Sequence, residues 1–470
     1  MLMNKQKREV LPLPKILSQE EKFRMMTESP IPSLIGRLSI PTIISMLITS
    51  IYNMADTFFV GKISTSATAA VGVVFPVMAI IQALGFFCGH GSGNSISRKL
   101  GSKDNQSAEQ LASTGFFMAL ILGFVVAVLG LIFLDPLSRI LGSTDTILPY
   151  TKAYLGIILI GAPYMTAQLV LNNQIRFQGN AFFAMIGITT GGVLNIFLDP
   201  LFIFVFKMGI SGAALATIIS QFFSFILLFV GARVSGCIPI RLRSVAFTPA
   251  RLKEIAGGGL PSLFRQGLGS VATMTLNIVA NPYGDAAIAA MSVVSRVIMF
   301  ANSALIGFGQ GFQPVCGFNY GAKKYSRVLE AFWFCVKIST VLLLILSIVG
   351  IIFAPQVIGI FRDDPQVIEI GALTLRLQCI TFPLGGWIVV NNMMMQTMGK
   401  TLYASTLAAS RQGLFFIPAL LILPLIFDLL GVQMAQAVSD VFTFTVTTIL
   451  YLRVARELKQ PDEKPTSSAT

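Results

Sequence analysis

Two acids stand inside apolar runs of this chain. Asp56 lies in "IYNMADTFFVG", residues 51–61, and Asp199 in "NIFLDP", with Asn195 four residues before it. Residues four apart share a helix face, so Asn195 and Asp199 can present their oxygens together. Thr217, about seven residues into the next apolar run, falls at a compatible depth. Oxygens of Asp, Asn and Thr suit a hard cation such as Na⁺. A buried pair of carboxylates suits H⁺ equally well. Burial and mutual repulsion disfavour two charges, so one group takes up a proton near neutral pH and releases it when the site meets water. The plainer alternative is that each acid caps a helix end, Asp56 near the outer surface and Asp199 before Pro200.

A third acid, Asp440, lies in the last run, with Arg296 and Arg411 at comparable depth in two others. An ion pair between Asp440 and one of these arginines is the expectation; a second coupling or substrate acid is the alternative. Arg265 and Arg376 are expected to bond backbone carbonyls or reach outward. Asn53, Gln168, Asn172, Asn277, Asn302 and Gln310 are candidate substrate contacts in a cleft, with Met and aromatic walls around them. His90, the single histidine, is expected to be structural. Its stretch "GHGSGN" follows no strand and lacks the Lys-Ser/Thr ending of a phosphate loop. No Ser-His-Asp, zinc or redox constellation is visible, so an enzyme is not expected. The five cysteines show no paired spacing and read as free thiols, with no cofactor and no structural metal implied.

The elements that must position these residues are membrane helices. Of 470 residues, 54% are hydrophobic and 12% charged, with a mean hydropathy of +0.76. Soluble domains carry about 25% charged residues. Twelve apolar runs are read as spans: 38–60, 70–95, 112–134, 151–171, 183–206, 210–232, 257–280, 287–314, 330–353, 371–396, 403–427 and 431–453. Each is about 20 residues or longer, enough for hydrocarbon roughly 30 Å thick. Lys and Arg number 24 in the tails and the alternate loops on one side, against Lys62, Arg139, Lys207 and Arg362 opposite. That bias predicts both termini in the cytoplasm. The net charge of +13 follows loops and tails rather than an aromatic-interleaved stripe, so no nucleic acid is expected.

Sliding the chain by 220 residues aligns Pro41 with Pro261, Gly89 and Gly91 with Gly309 and Gly311, and Gly101 with Gly321. The same offset aligns Pro163 with Pro383, Asn172 with Asn392, and Gly179 with Gly399. Six spans per copy give two parallel repeats, related by an axis along the membrane normal and enclosing a cleft. The expected organisation is a tail (1–33), an N lobe (34–232), a basic linker (233–256), a C lobe (257–455) and a second tail (456–470). Asp56 has Leu276 as its counterpart, and Asp199 has Ala419, so the acids belong to one lobe only.

The stretches "LSIPTIISMLITSIYNMADTFFVG", "NQIRFQGN", "NIFLDPLFIF", "GISGAALATIISQ" and "GFGQGFQPVCGFNYGAKKY" together resemble the multidrug and toxic compound extrusion (MATE) family, in its bacterial MepA-like branch. The resemblance runs from about Pro30 to Leu458. It implies export of lipophilic organic cations in exchange for H⁺ or Na⁺ by alternating access, in a bacterial cytoplasmic membrane. A monomer with small organic cations and membrane lipid as its partners is expected. In family members an acid in the first helix, an Asn…Asp pair in the fifth and a threonine in the sixth form the N-lobe cation site. Asp56, Asn195, Asp199 and Thr217 occupy those positions. Some branches add a glutamate in the seventh helix; this sequence departs from them, with no acid between Pro261 and Pro282. Rival readings are a flippase for lipid-linked precursors and, from another class, a membrane enzyme or receptor.

Overall fold

In hydrocarbon an apolar segment has no hydrogen-bond partner for its backbone except itself, so each run folds as a helix. The computed structural model describes residues 17–458. The first sixteen residues of the expected N-terminal tail, and residues 459–470 with Lys459 and Lys464, lie outside the described residues. The N-terminal half comprises α1 (Gln19–Glu28), α2 (Ile31–Gly61), α3 (Thr65–Gly101), α4 (Asn105–Ile132), the short α5 (Leu134–Ile140), α6 (Leu148–Phe177), α7 (Ala181–Pro200) and α8 (Gly209–Val234). The second half comprises α9 (Pro249–Ala280), α10 (Asp285–Gly321), α11 (Tyr325–Ile352), the short α12 (Ala354–Phe361), α13 (Pro365–Thr381), α14 (Leu384–Thr397), α15 (Thr401–Ala409), α16 (Phe416–Ile422) and α17 (Pro424–Leu458).

Ten of these segments are long and apolar enough to span a membrane, and α13 with α14 forms an eleventh, bent by 57°. The remaining span is α9. Its charged first turns and Arg265 lower its hydropathy, but its 32 residues extend about 48 Å. The protein is thus an all-helical polytopic membrane protein of two six-helix lobes.

The helices outrun the spans drawn from hydropathy. α3 and α10 run 37 residues each, through the polar glycine-rich stretches that end them. Those stretches are buried between the lobes, so protein rather than lipid surrounds them. α9 begins at Pro249, so the extended part of the linker is only residues 235–248. α1 lies within the N-terminal stretch and is closed by a capping box of Ser18 and Glu21. Its Lys22 donates to the carbonyls of Ser235 and Gly236 at 2.8 and 2.6 Å, just past the C-terminus of α8, where a cation complements the helix dipole.

The lobes meet on the side that carries α1 and the end of α17, here called the tail side. Thr42 donates to the Gly307 carbonyl at 2.6 Å, and the hydroxyls of Ser50 and Ser303 lie 2.7 Å apart. Arg98 donates to the Thr397 carbonyl at 2.6 Å, and Thr397 to Asn94 at 2.8 Å. His90 stacks on Phe86 and shares a 3.0 Å hydrogen bond with Ser262, which makes it part of this junction. A Cβ on Gly101 would strike the Phe318 carbonyl, and one on Gly321 would strike the Arg98 carbonyl. Both partners obey the 220-residue displacement, so the two contacts are one contact repeated about a pseudo-twofold axis. Beyond Ser50 and Ser303 no described hydrogen bond joins the lobes. On the far side, Phe58 of α2 and Ile278 of α9 are 58% and 70% exposed. The described hydrogen bonds between the lobes thus all lie from Ser50 and Ser303 toward the tail side.

The symmetry breaks at two places. α6 runs continuously through Pro163, whereas its counterpart bends at Pro383, where Gly385 and Gly386 weaken the helix that a proline already interrupts. π-helical turns occur at Leu201–Val205 after α7 and at Ser410–Leu414 after α15, each beside residues described next.

Candidate cation and substrate sites

Pro200 has no N–H to donate back along α7, and the π turn that follows widens the helix there. Asp199 sits directly before this break and is fully buried. The Asn195 amide donates to Asp199 Oδ1 at 3.3 Å. Asp199 Oδ2, Asn195 Oδ1 and Asp56 Oδ1 are buried without a hydrogen-bond partner. Thr217 donates to the Ala213 carbonyl at 3.0 Å, which leaves its lone pairs free. Asp56 and Asp199 lie within electrostatic range of each other and of the fully buried phenol of Tyr154. The Tyr154 hydroxyl faces Thr217 and forms no hydrogen bond of standard geometry.

Among the described residues, no arginine or lysine pairs with Asp56 or Asp199. A buried polar atom without a partner costs about 1–3 kcal/mol, more when charged. Three buried acceptor oxygens, on Asp56, Asn195 and Asp199, therefore stand without a donor.

Two polar cavities lie nearby. One, about 90 Å³, is lined by Tyr52, Gln168, Asn172, Gln221 and Gln310 together with apolar groups. The Gln168 amide there donates to Ser224 at 2.8 Å, and Asn172 to the Ala184 carbonyl at 3.1 Å. The other, about 450 Å³, lies in the C lobe and includes Asn302, Arg265, Arg411 and Asp440. Two of the expected cleft residues join neither: Asn53 and Asn277 are exposed and line no described cavity.

Asp440 pairs with Arg411, Nε to Oδ1 at 2.9 Å, and accepts a second hydrogen bond from Gln436 at 2.9 Å. Arg296 takes no part: it lies on an exposed face of α10, which turns it away from the acid. Arg376 donates to the Ile351 carbonyl at 3.2 Å. Arg265 does not behave as expected, since it faces the C-lobe cavity with no carbonyl partner among the described residues.

Sequence reasoning passed over Tyr154. Its signal was depth: six residues into a helix that starts at Leu148 and runs toward the tail side, it lies level with Asp56, which is five residues from the end of a helix running the other way.

Two pseudo-symmetric bundles that enclose polar cavities at membrane depth, and meet at one end only, are built as a membrane transporter. A family model described as MatE matches residues 41–201 and 261–421, two segments displaced by the same 220 residues as the sequence repeat. The chain belongs to the MatE family of multidrug efflux transporters, and it is a transporter rather than an enzyme. Multidrug export protein MepA of Staphylococcus haemolyticus (strain JCSC1435) is 28% identical over 438 residues, which cover 92% of this chain and 96% of that protein. A structure described as the outward-facing conformation of a multidrug resistance MATE family transporter of the MOP superfamily superposes with a TM-score of 0.88. It is 26% identical and covers 94% of this chain and 99% of its own. A MOP superfamily transporter from Pyrococcus furiosus, described by a reversed polarity of its binding pocket that suggests a different function, superposes at 0.87. It is 27% identical, with 94% and 99% coverage.

Proposed function

We propose that the protein is a cation-coupled antiporter that exports lipophilic organic cations by alternating access, with Asp56, Asn195, Asp199 and Thr217 as the site of the coupling ion, H⁺ or Na⁺. The observation that carries this reading is that Asp199 Oδ2 and Asp56 Oδ1 are both buried without a partner, and no base among the described residues answers either acid. The excess of Lys and Arg in the tails and tail-side loops supports a cytoplasmic placement of both termini, in a bacterial inner membrane. The separated far side is then the outside, and the described arrangement is outward-open.

In that arrangement the ion enters from outside and binds between the N-lobe oxygens. Its charge removes the repulsion between the two carboxylates and favours repacking of α7 around its π turn. The drug leaves, the lobes close outside, and the ion is discharged inward. The cleft polar groups, among them Gln168, Asn172, Asn302 and Gln310, serve to orient the substrate.

The test is ethidium flux in proteoliposomes with ΔpH and ΔNa⁺ imposed separately. Flux driven by one gradient names the ion. Flux driven by neither refutes cation coupling.

A further inference from the structure

The two lobes carry opposite unmatched charge. In the N lobe, Asp56 and Asp199 have no base among the described residues. The C-lobe cavity holds Arg265, Arg411 and Asp440, two guanidinium groups against one carboxylate, whose Oδ1 already accepts from Arg411 Nε and Gln436. The Arg411 bond uses Nε alone, so both terminal amino groups of that guanidinium have no protein partner. Arg265 has no hydrogen bond or ion pair among the described residues, and a second buried arginine, Arg176, lies in the N lobe. Arg176 is itself occupied by Gln310, Gln313 and Asn173.

An arginine at membrane depth normally finds an acid, a carbonyl or a water-filled cavity. Here only the cavity is available. Its volume of about 450 Å³ is that of a small-molecule site, and its walls include Met299, Phe382 and Met393. A planar guanidinium with free N–H groups matches a carboxylate or phosphate, to which it can form paired, charge-assisted hydrogen bonds.

We propose that the C-lobe cavity binds the oxyanion, carboxylate or phosphate, of an amphiphilic ligand, with Arg265 and the terminal amino groups of Arg411 as its anchors and the Met and Phe walls holding the apolar body. This extends the transporter reading to a substrate class other than organic cations. It rests on that reading for the cavity's purpose. Its test uses no ion gradient, so it can fail while the coupling claim stands.

The experiment titrates the purified full-length protein in detergent with the fluorescent amphiphile dansylglycine and, separately, with its uncharged methyl ester. The acid is expected to bind at least tenfold more tightly than the ester. Arg265→Gln abolishes that preference, and Arg265→Lys keeps part of it. Equal affinity for acid and ester in the wild type overturns the proposal, and so does an undiminished preference in Arg265→Gln. The wild-type ratio decides even if the glutamine variant folds poorly, and Arg265→Lys supplies a milder substitution. Competition by phosphatidylglycerol but not phosphatidylcholine identifies a lipid headgroup as the source of the oxyanion. Acid preference without lipid competition identifies a soluble carboxylate.

Discussion

Asn195 donates to one oxygen of Asp199 and leaves the other oxygen of that carboxylate buried and bare. The amide orients the acid without neutralising it. Had a lysine or arginine stood there, the group would be a closed ion pair like Asp440 with Arg411. The contrast separates a carboxylate with a bare oxygen from one fixed by a resident base.

The amide matters because it sets the carboxylate's direction. Asn195→Ala removes one hydrogen bond to a charged group, worth about 1.5–3 kcal/mol. Gradient-driven ethidium efflux is expected to fall roughly tenfold or more. Tyr154→Phe, which removes a hydroxyl that makes no bond in this arrangement, is expected to have a smaller effect. Initial rates in proteoliposomes check both.

Arg411 and Asp440 are 17% and 4% exposed, so the carboxylate is buried while the guanidinium keeps an edge on the cavity. Arg411→Ala leaves a buried carboxylate unpaired and is expected to destabilise the protein by about 3–5 kcal/mol. The double variant Arg411→Met with Asp440→Asn recovers much of that loss, because neither charge remains. A double-mutant cycle on thermal unfolding in detergent measures the coupling.

Gly101 and Gly321 allow the lobes to close against each other on the tail side. A valine at either position pushes a carbonyl of the other lobe away, so the tail side opens and the far side closes. Spin labels at Phe58 and Ile278 on the two lobes are expected to move closer together in Gly101→Val or Gly321→Val, with efflux lost. An unchanged distance distribution contradicts this account of the closed end.

Asn172 donates to the Ala184 carbonyl and Asn392 to the Ala404 carbonyl at 2.8 Å, the same link in each lobe. Replacing either with alanine is expected to cost about 1 kcal/mol, and the two losses should add because the sites share no partner. Non-additive losses would mean that the two sites are energetically coupled across the lobes.

Much of this architecture was legible in the residues, for identifiable reasons. The 220-residue displacement was visible because glycines and prolines at tight contacts tolerate few replacements, and those positions now prove to be contacts between helices. Asp199 stood out because a charge in an apolar run has few structural excuses. The ends of α3 and α10 were not legible. Hydropathy stops where lipid stops, whereas "CGHGSGNSISRKLG" continues the helix into a protein interface. The partner of Asp440 depended on helix rotation: Arg296 and Arg411 share a depth, and only three-dimensional packing turns one inward. The loneliness of Arg265 was equally hidden, since sequence reveals a charge but not its neighbours.

The most direct test of the central claim is gradient-driven ethidium efflux by Asp56→Asn and Asp199→Asn beside the wild type, with folding verified by gel filtration. The account predicts that both variants remain folded and lose coupled efflux under the gradient that drives the wild type. Wild-type efflux from either variant would contradict it, and would return that acid to the role of a helix-end cap.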